Sequence, residues 1–422
     1  MRPSKVARAA GTGASVPVEQ CQICGHSPLD TVLSLGYMPP VNQMVPIGQA
    51  PHQQPWFPTT LLHCRKCDLV QLGLAVDPAI IFPPEYPYTS GTTKLLRDNF
   101  ADLQRESAAM LGLANEDLVI DIGSNDGTLL SNFKQGGQRV LGIEPTDVGD
   151  IAKQRGIPTL KRYFGVEVAR EVKRDHGTAS VVTAANCFAH IEDVHAIVDG
   201  IVEMLKPDGV FISESHYLVP LLDTLQYDTI YHEHLRYYSL ASLKHLLEMH
   251  GLEVFHARPI PSHGGSIRVY AAPRGAHAVQ ESVARVLATE PRGDAMVKRL
   301  ATFRSEVILS KLRLLSMLRD LKEKGTRVAG ISAPSRASTL VNYVGLDEGL
   351  IEYVCEISGS LKIGKFMPGT QIPVVEESRL YADQPDCAII FSWHIADELA
   401  PKLKARGFRG KLITPLPVPR TL

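Results

Sequence analysis

Cysteine is scarce in this chain, net charge is nearly absent, and no apolar run has the length needed to cross a bilayer. Each lack removes a class of protein. Seven cysteines in 422 residues are too few for a disulfide framework. A formal net charge of -1, with no stripe of interleaved aromatic and basic residues, gives no general attraction to nucleic acid or to an anionic membrane. The start, Met1 to Val18, carries Arg and Lys but no apolar core of signal-peptide length. Residues 1–18 are therefore expected to be a disordered extension, and a cytoplasmic address is expected for the whole. No short-period repeat or low-complexity tract stands out. What is present is ordinary globular composition, 44% hydrophobic and 21% charged, in a chain too long for one core.

The segment 19–82 is rich in Pro, Gln and Cys and short of helical periodicity, as expected of a module held by a metal. From Thr92 to about Leu113 the pattern is helical. Leu118-Val-Ile-Asp-Ile then reads as a buried parallel strand, and apolar runs at Arg139–Ile143, Ala179–Ala184 and Gly209–Glu214 alternate with helical stretches. That alternation predicts a doubly wound α/β core over 83–293. A long amphipathic helix, roughly Asp294 to Lys324, opens the last section, 294–422. There strands at Arg327–Ala333, Ile351–Val354, Cys387–Phe391 and Lys411–Ile413 predict a second, smaller Rossmann-like unit.

Four of the seven cysteines fall in two pairs, Cys21-Gln-Ile-Cys24 and Cys64-Arg-Lys-Cys67. Each spacing lets the backbone turn so that both sulfurs face one tetrahedral ion, and four thiolates close the shell against water. A structural zinc site follows, with a loop or hairpin inserted between the two knuckles. His26 and His63 lie beside the cysteines but are not needed. Cys187, Cys355 and Cys387 stand alone and read as core residues.

Asp121-Ile-Gly123-Ser124-Asn125-Asp126-Gly127 follows the first apolar strand and opens a helix, the place where a glycine turn brings backbone amides to a ligand. It fits no dinucleotide fingerprint and resembles motif I of the Rossmann-like methyltransferases. The next strand ends in Glu144-Pro145, placing a carboxylate where it can accept from ribose hydroxyls. One strand further, Asn186 and His190 sit four apart after Ala184 and can share a pocket wall.

The densest chemistry is Tyr227-Asp-Thr-Ile-Tyr231-His232-Glu233-His234-Leu-Arg236-Tyr237-Tyr238. Polar groups in such number are expensive to bury without purpose. The spacing does not suit a helical two-histidine metal site, whereas a His beside Glu and Tyr suits proton transfer. His263-Gly-Gly-Ser266-Ile-Arg268 offers amides, a hydroxyl and a guanidinium for phosphate or sugar hydroxyls. Ser332 to Arg336 opens a helix whose N-terminus suits a pyrophosphate. His195, His216 and His250 lack such company and read as satisfied core histidines.

Taken in order, the Cys pairs, the Asp-Ile-Gly-Ser-Asn-Asp-Gly loop, Asn186-x-x-x-His190, Tyr231-His-Glu-His234, His263-Gly-Gly-Ser-Ile-Arg268 and Gly364-Lys-Phe-Met-Pro-Gly-Thr370 resemble the sugar C-methyltransferases, from about Cys21 to the C-terminus. The resemblance implies S-adenosylmethionine as cofactor, a nucleotide-linked 4-keto-deoxysugar as substrate, and three parts: a zinc module, a central Rossmann-like methyltransferase domain, and a C-terminal Rossmann-like domain that helps hold the nucleotide sugar. It carries function onto Tyr231, Glu233, His234, Asn186 and His190, with Tyr86 or Tyr88 closing the pocket. Ala333-Pro-Ser-Arg336 and Glu356-Ile-Ser-Gly-Ser depart from the family's Lys-Gly-Asn turn and Asp-Arg-Asn-Pro-like run, which bears on the sugar or its nucleotide.

The expected chemistry is removal of the proton at C3, next to the ketone, by His234, with Glu233 or Tyr231 orienting it. His190 or a pocket tyrosine then donates to the enolate oxygen, and the carbon attacks the sulfonium methyl in line. Competing expectations are an O- or N-methyltransferase, needing only proximity and a weak base, and an RNA-binding protein with zinc knuckles, which the neutral charge disfavours. Neither nucleic acid nor membrane is expected as a partner, and a monomer is compatible with the sequence.

Overall fold

The computed structural model describes residues 13–82 and 89–422, so Tyr86 and Tyr88 lie outside the described residues. The N-terminal module holds β1 (Val16–Pro17), β2 (Asp30–Met38), β3 (Phe57–His63), β4 (Val70–Leu72) and β5 (Leu74–Ala75). The hairpin of β2 and β3 is the insertion expected between the two cysteine pairs. In β3 every second residue, Thr59, Leu61 and His63, is buried, the two-residue period of a strand with one covered face. One expectation is corrected here. Residues 13–18 are not a loose extension: β1 pairs antiparallel with β5, and the Gly13 N–H donates to Asp77 at 2.8 Å.

The central domain is built on β6 (Leu118–Ile122), β7 (Arg139–Ile143), β8 (Thr159–Leu160), β9 (Ala179–Ala185), β10 (Leu205–His216), β12 (Leu252–Ile260) and β13 (Ser266–Pro273), with a short β11 (Arg236–Tyr237) between. The seven-stranded order is β12-β13-β10-β9-β6-β7-β8, and β13 runs antiparallel to both neighbours. All five residues of β6 are buried, Asp121 among them, as a strand flanked by strands and covered by helices must be. Strand order reverses between β6 and β9, which opens a crevice at their carboxyl ends. The antiparallel pair β12 and β13 was not expected from the sequence. Leu205–Gly209 is the irregular start of β10.

The helix Asp294–Glu323 buries Met296, Leu300, Phe303, Val307, Leu314 and Leu318 along one stripe. Beyond it lie β14 (Val328–Ile331), β15 (Val354–Glu356), β16 (Val374–Glu376), β17 (Cys387–Ile390), β18 (Lys411–Thr414) and β19 (Arg420–Thr421), ordered β16-β15-β14-β17-β18-β19. All run parallel except β19, which gives the expected second Rossmann-like unit.

The three parts share surfaces. β11 joins the N-terminal sheet, pairing Arg236 with Gln71 and Tyr237 with Val70, so the segment just after Tyr231–His234 is a strand of the zinc module. One hydrophobic cluster takes Leu33 and Leu61 from that module, Tyr227 and Ile230 from the core, and Leu340 and Val341 from the C-terminal domain. Among the described residues no helix is long and apolar enough to cross a membrane.

Candidate active site and zinc centre

Cys21, Cys24, Cys64 and Cys67 are all buried, with their sulfurs within 4.8 Å of one another. The closest pairs, Cys21–Cys67 and Cys24–Cys64, stand 3.5 Å apart. Bonds of about 2.3 Å to a tetrahedral zinc ion put sulfurs about 3.8 Å apart, so the four thiolates fit zinc with minor adjustment. His63 is occupied elsewhere, facing Asp68 at 3.3 Å. The knuckle is tied to the core by a chain of hydrogen bonds: Ile23 O accepts from His195 Nε2 at 2.9 Å, His195 Nδ1 meets His250 Nε2 at 2.8 Å, and His250 Nδ1 faces Asp199 at 2.8 Å. His195 and His250 are thus structural, as the sequence suggested.

At the crevice, Gly123 (φ 68°) and Gly127 (φ 76°) occupy left-handed conformations that glycine adopts without strain. A Cβ on Gly123 would stand 2.9 Å from Cys187 Cβ, so the loop is pressed against the end of β9. Asn125 is also left-handed, and its N–H donates to Glu144 Oε2 at 3.0 Å. Glu144 is 5% exposed; its Oε1 accepts from the Thr146 N–H at 2.9 Å and hydroxyl at 2.7 Å. Three of the roughly four lone-pair directions of that carboxylate are used, which fixes it and leaves one for a ligand hydroxyl. Pro145 follows it, half-buried.

Asp121 lies beneath the loop instead of in the crevice. It accepts from the Thr183 hydroxyl at 2.6 Å, and burial, reinforced by the Glu144 charge and opposed by that hydroxyl, pushes its carboxyl up to about 7. The buried Ser124 hydroxyl has no partner among the described residues. Asn186 is the more telling residue: it is left-handed (φ 60°), and among the described residues both its side-chain amide nitrogen and oxygen are buried without a hydrogen bond. Strain and two unmet polar atoms at the end of β9 are what a bound ligand compensates.

The second wall comes from the Tyr231–His234 run. His234 Nδ1 donates to Thr229 O at 2.8 Å; a carbonyl only accepts, so the neutral ring keeps its lone pair on Nε2. Burial, aided by His263 and Arg336 and opposed by that Thr229 contact, brings its pKa down to about 4. The His190 ring centre lies 5.0 Å from that of His234, the Tyr231 ring 4.1 Å, and the His216 ring 5.1 Å, while His216 in turn stacks on His263 at 5.7 Å. On the far side His190 stacks on Phe82 at 5.8 Å. The loop after β9 leads directly into this cluster, because Leu235 N donates to Ala189 O at 3.0 Å. The glycine bend and the Tyr-His-Glu-His run therefore share one crevice.

Neighbours in the run point apart. His232 Nε2 meets the Thr59 hydroxyl at 3.0 Å in the zinc module, and Glu233 Oε1 accepts from Asn42 Nδ2 at 2.6 Å. Asn42 Oδ1 also accepts from the Ser335 hydroxyl at 3.1 Å, at the start of the helix Ser335–Val344.

Several substrate-binding expectations are corrected. Arg268 does not face the crevice: it is fully buried, donating to Glu214 at 3.0 Å, Asp102 at 3.2 Å, Glu106 at 2.5 Å and Asn99 at 3.1 Å. All three guanidinium nitrogens are committed to this network, which leaves none for a ligand. Ser266 is likewise buried, with its hydroxyl on Ser262 O at 3.1 Å. His263 (φ 55°) joins the imidazole stack, and its buried Nε2 has no partner among the described residues. Arg336 grips Asp228 with two bonds of 2.7 and 2.8 Å and lies 4.9 Å over the Trp393 ring, whose Nε1 donates to the same Asp228 at 2.8 Å. It is an interdomain clasp in this structure. Ser332 is left-handed (φ 67°) at the end of β14, half-buried. His216, read as a core histidine, belongs to the cluster; its place at the carboxyl end of an apolar strand is the signal that marks it.

Residues 21–82 match a zinc binding domain, 94–257 a methyltransferase domain, and 261–417 a C-methyltransferase C-terminal domain. The chain is 34% identical over 412 residues to the C-methyltransferase NovU of Streptomyces niveus, covering 96% of this chain and 97% of that one. The chain belongs to the C-methyltransferase family. Solved structures overlap less of this C-methyltransferase. They include the PH0226 protein of Pyrococcus horikoshii OT3 (14% identity, 46% of this chain and 98% of that one, TM-score 0.37) and the magnesium protoporphyrin IX methyltransferase ChlM of Synechocystis PCC 6803 (13%, 44% and 89%, TM-score 0.34). The enzyme is an S-adenosylmethionine-dependent C-methyltransferase with a zinc-binding module.

Proposed function

We propose that this C-methyltransferase methylates the carbon next to the ketone, C3, of a nucleotide-linked 4-keto-deoxysugar. The observation that carries the reading is the lone pair of His234 Nε2, left open by the Thr229 contact, on a wall continuous with the glycine loop. A methyl transfer to oxygen or nitrogen needs no such base, whereas carbon must first lose a proton. His234 takes the α proton; the C–H pair becomes the C=C bond and the carbonyl pair moves to oxygen. Tyr231, packed on the His234 ring, orients it, and Glu233 fixes the run against Asn42. His190 stands beside His234 to donate to the enolate oxygen.

When bound, S-adenosylmethionine supplies the electrophilic methyl group that this carbon takes. Gly123, Ser124, Asn125, Gly127, Glu144 and Pro145 cradle it, and Asn186, strained and unpaired, reaches toward cofactor or substrate. The diphosphate sugar enters between the core and the C-terminal domain, where Arg336 clasps Asp228 and meets His263 O across the seam and Ser332 follows the carboxyl end of β14. The test is incubation with nucleoside-diphosphate 4-keto-6-deoxyhexoses and carbon NMR of the product. A new carbon–carbon bond at C3 is expected; a methyl ether or methylamine would refute the reading.

A further inference from the structure

The base is flanked by a second imidazole to which nothing above gives a task. His216 ends β10, whose carboxyl end opens into the crevice, and its ring centre is 5.1 Å from that of His234. The ring is half-buried and, among the described residues, its nitrogens make no hydrogen bond to protein. A half-buried polar ring that gives its N–H to no protein group has that donor available for a ligand in the crevice.

The reaction calls for such a ligand contact. A ketone oxygen is one carbon removed from the carbon that loses its proton, so any donor to that oxygen must stand close beside the base. A ring centre 5.1 Å from that of His234 meets this requirement. Burial draws the pKa of His216 well below the ordinary imidazole value, with His234, His263, Arg336 and His190 acting in the same direction. It is therefore neutral and carries one N–H. A neutral imidazole can polarise a carbonyl without giving up its proton.

We propose that His216 is a catalytic residue that donates an N–H hydrogen bond to the substrate's ketone oxygen as it becomes the enolate oxygen, in addition to His190. This rests on the reading that His234 removes the α proton. His234 keeps the proton it has taken, the negative charge grows on oxygen, and His216 shares its N–H with that oxygen and retains it.

Two substitutions separate a donor from a packing ring. His216→Phe keeps the ring stack and removes the N–H; His216→Gln removes the ring and keeps an N–H. Exchange of the α proton is followed by proton NMR in deuterium oxide, with thymidine-, uridine- and guanosine-diphosphate 4-keto-6-deoxyhexoses as probes and S-adenosylhomocysteine in the cofactor site. Zinc content and melting temperature report folding, and a variant that loses its zinc is set aside and the other scored alone. The expected result is exchange slowed about 100-fold in the phenylalanine variant, with cofactor affinity unchanged, and about tenfold recovery in the glutamine variant. Exchange within about threefold of wild type in His216→Phe, or a His216→Gln variant slowed by about 100-fold or more, would overturn the inference. His234→Asn runs alongside: if it still exchanges, the assignment of the base falls; if it is silent while His216→Phe is fast, only the role of His216 falls. If the wild-type enzyme exchanges none of the probes, both fall.

Discussion

The lowered pKa of His234 has two measurable consequences that stand or fall together. A free imidazole titrates near 6.5, and in the folded enzyme this one titrates at about 4. The difference is about 3.4 kcal/mol against the charged form. Because the folded value is depressed, the folded protein binds fewer protons than the unfolded chain between the two values. Stability from this source is complete above about pH 6.5 and is lost as the pH falls toward 4. Between pH 7 and pH 5 the loss amounts to about 2 kcal/mol for this one residue. Urea unfolding of wild type and His234→Asn at both pH values reads it, since the thiolates and the histidines away from the cluster titrate alike in both proteins and cancel in the subtraction, while the charge of His234 on His190 and His216 is counted with it. Wild type should lose about 2 kcal/mol more than the variant on acidification. In the wild-type enzyme, the acid limb of α-proton exchange should lie near 4, because that limb follows the base in the free enzyme. Equal stability losses in the two proteins, or an acid limb at 6.5, would show that the ring is not held neutral as the structure requires.

Chelation of zinc, or Cys64→Ser, should lower the melting temperature of the whole enzyme in one transition, because Cys21, Cys64 and Ile23 pack in the same core cluster as Leu118 and Val198; an unchanged central transition by circular dichroism would contradict this. Glu144→Ala should raise the Kd for S-adenosylmethionine about 10- to 100-fold in calorimetry, losing a charged hydrogen bond and freeing the Asn125 N–H, and an unaltered Kd would remove Glu144 from the cofactor site. Arg268→Met should cost about 3–5 kcal/mol in urea unfolding by stranding Glu214, which is fully buried, and Glu106. In the folded fraction the KM for the sugar should stay as it was, whereas a raised KM with full stability would return Arg268 to the substrate.

The parallel strands of both Rossmann-like units were legible because a strand covered on two faces is a predominantly apolar run, as in Leu118–Ile122, where Asp121 is the one polar residue, and Cys387–Ile390. The zinc ligands were legible because their chemistry is local to each Cys pair. What escaped depends on partners far along the chain. The antiparallel pair β12 and β13 carries His256, Arg258 and Arg268 within its apolar pattern, and these are tolerable only because Asp102 and Glu106 of the helix Lys94–Leu111 and Glu214 of β10 come to meet them. The same distant neutralisation turned Arg268 from a candidate ligand into an internal brace. His216 looked solitary because His234 and His263 reach it only through the fold, and Arg336 looked available because Asp228 lies in another domain.

The arrangement of the Tyr231–His234 run explains why three parts that look separable in sequence are joined in one enzyme. Successive side chains there face different bodies: His232 the Thr59 hydroxyl of the zinc module, Glu233 the Asn42 amide that also holds Ser335 of the C-terminal domain, and His234 the crevice of the core. A base on an irregular segment is only as well placed as the anchors of its neighbours, and a displacement of about 1 Å can cost a hundredfold in rate. Here the anchors are supplied from outside the catalytic domain, with β11 continuing the segment into the zinc module's own sheet. With zinc bound, the four thiolates would fix the knuckle, the knuckle the sheet, and the sheet the strand that follows the proposed base.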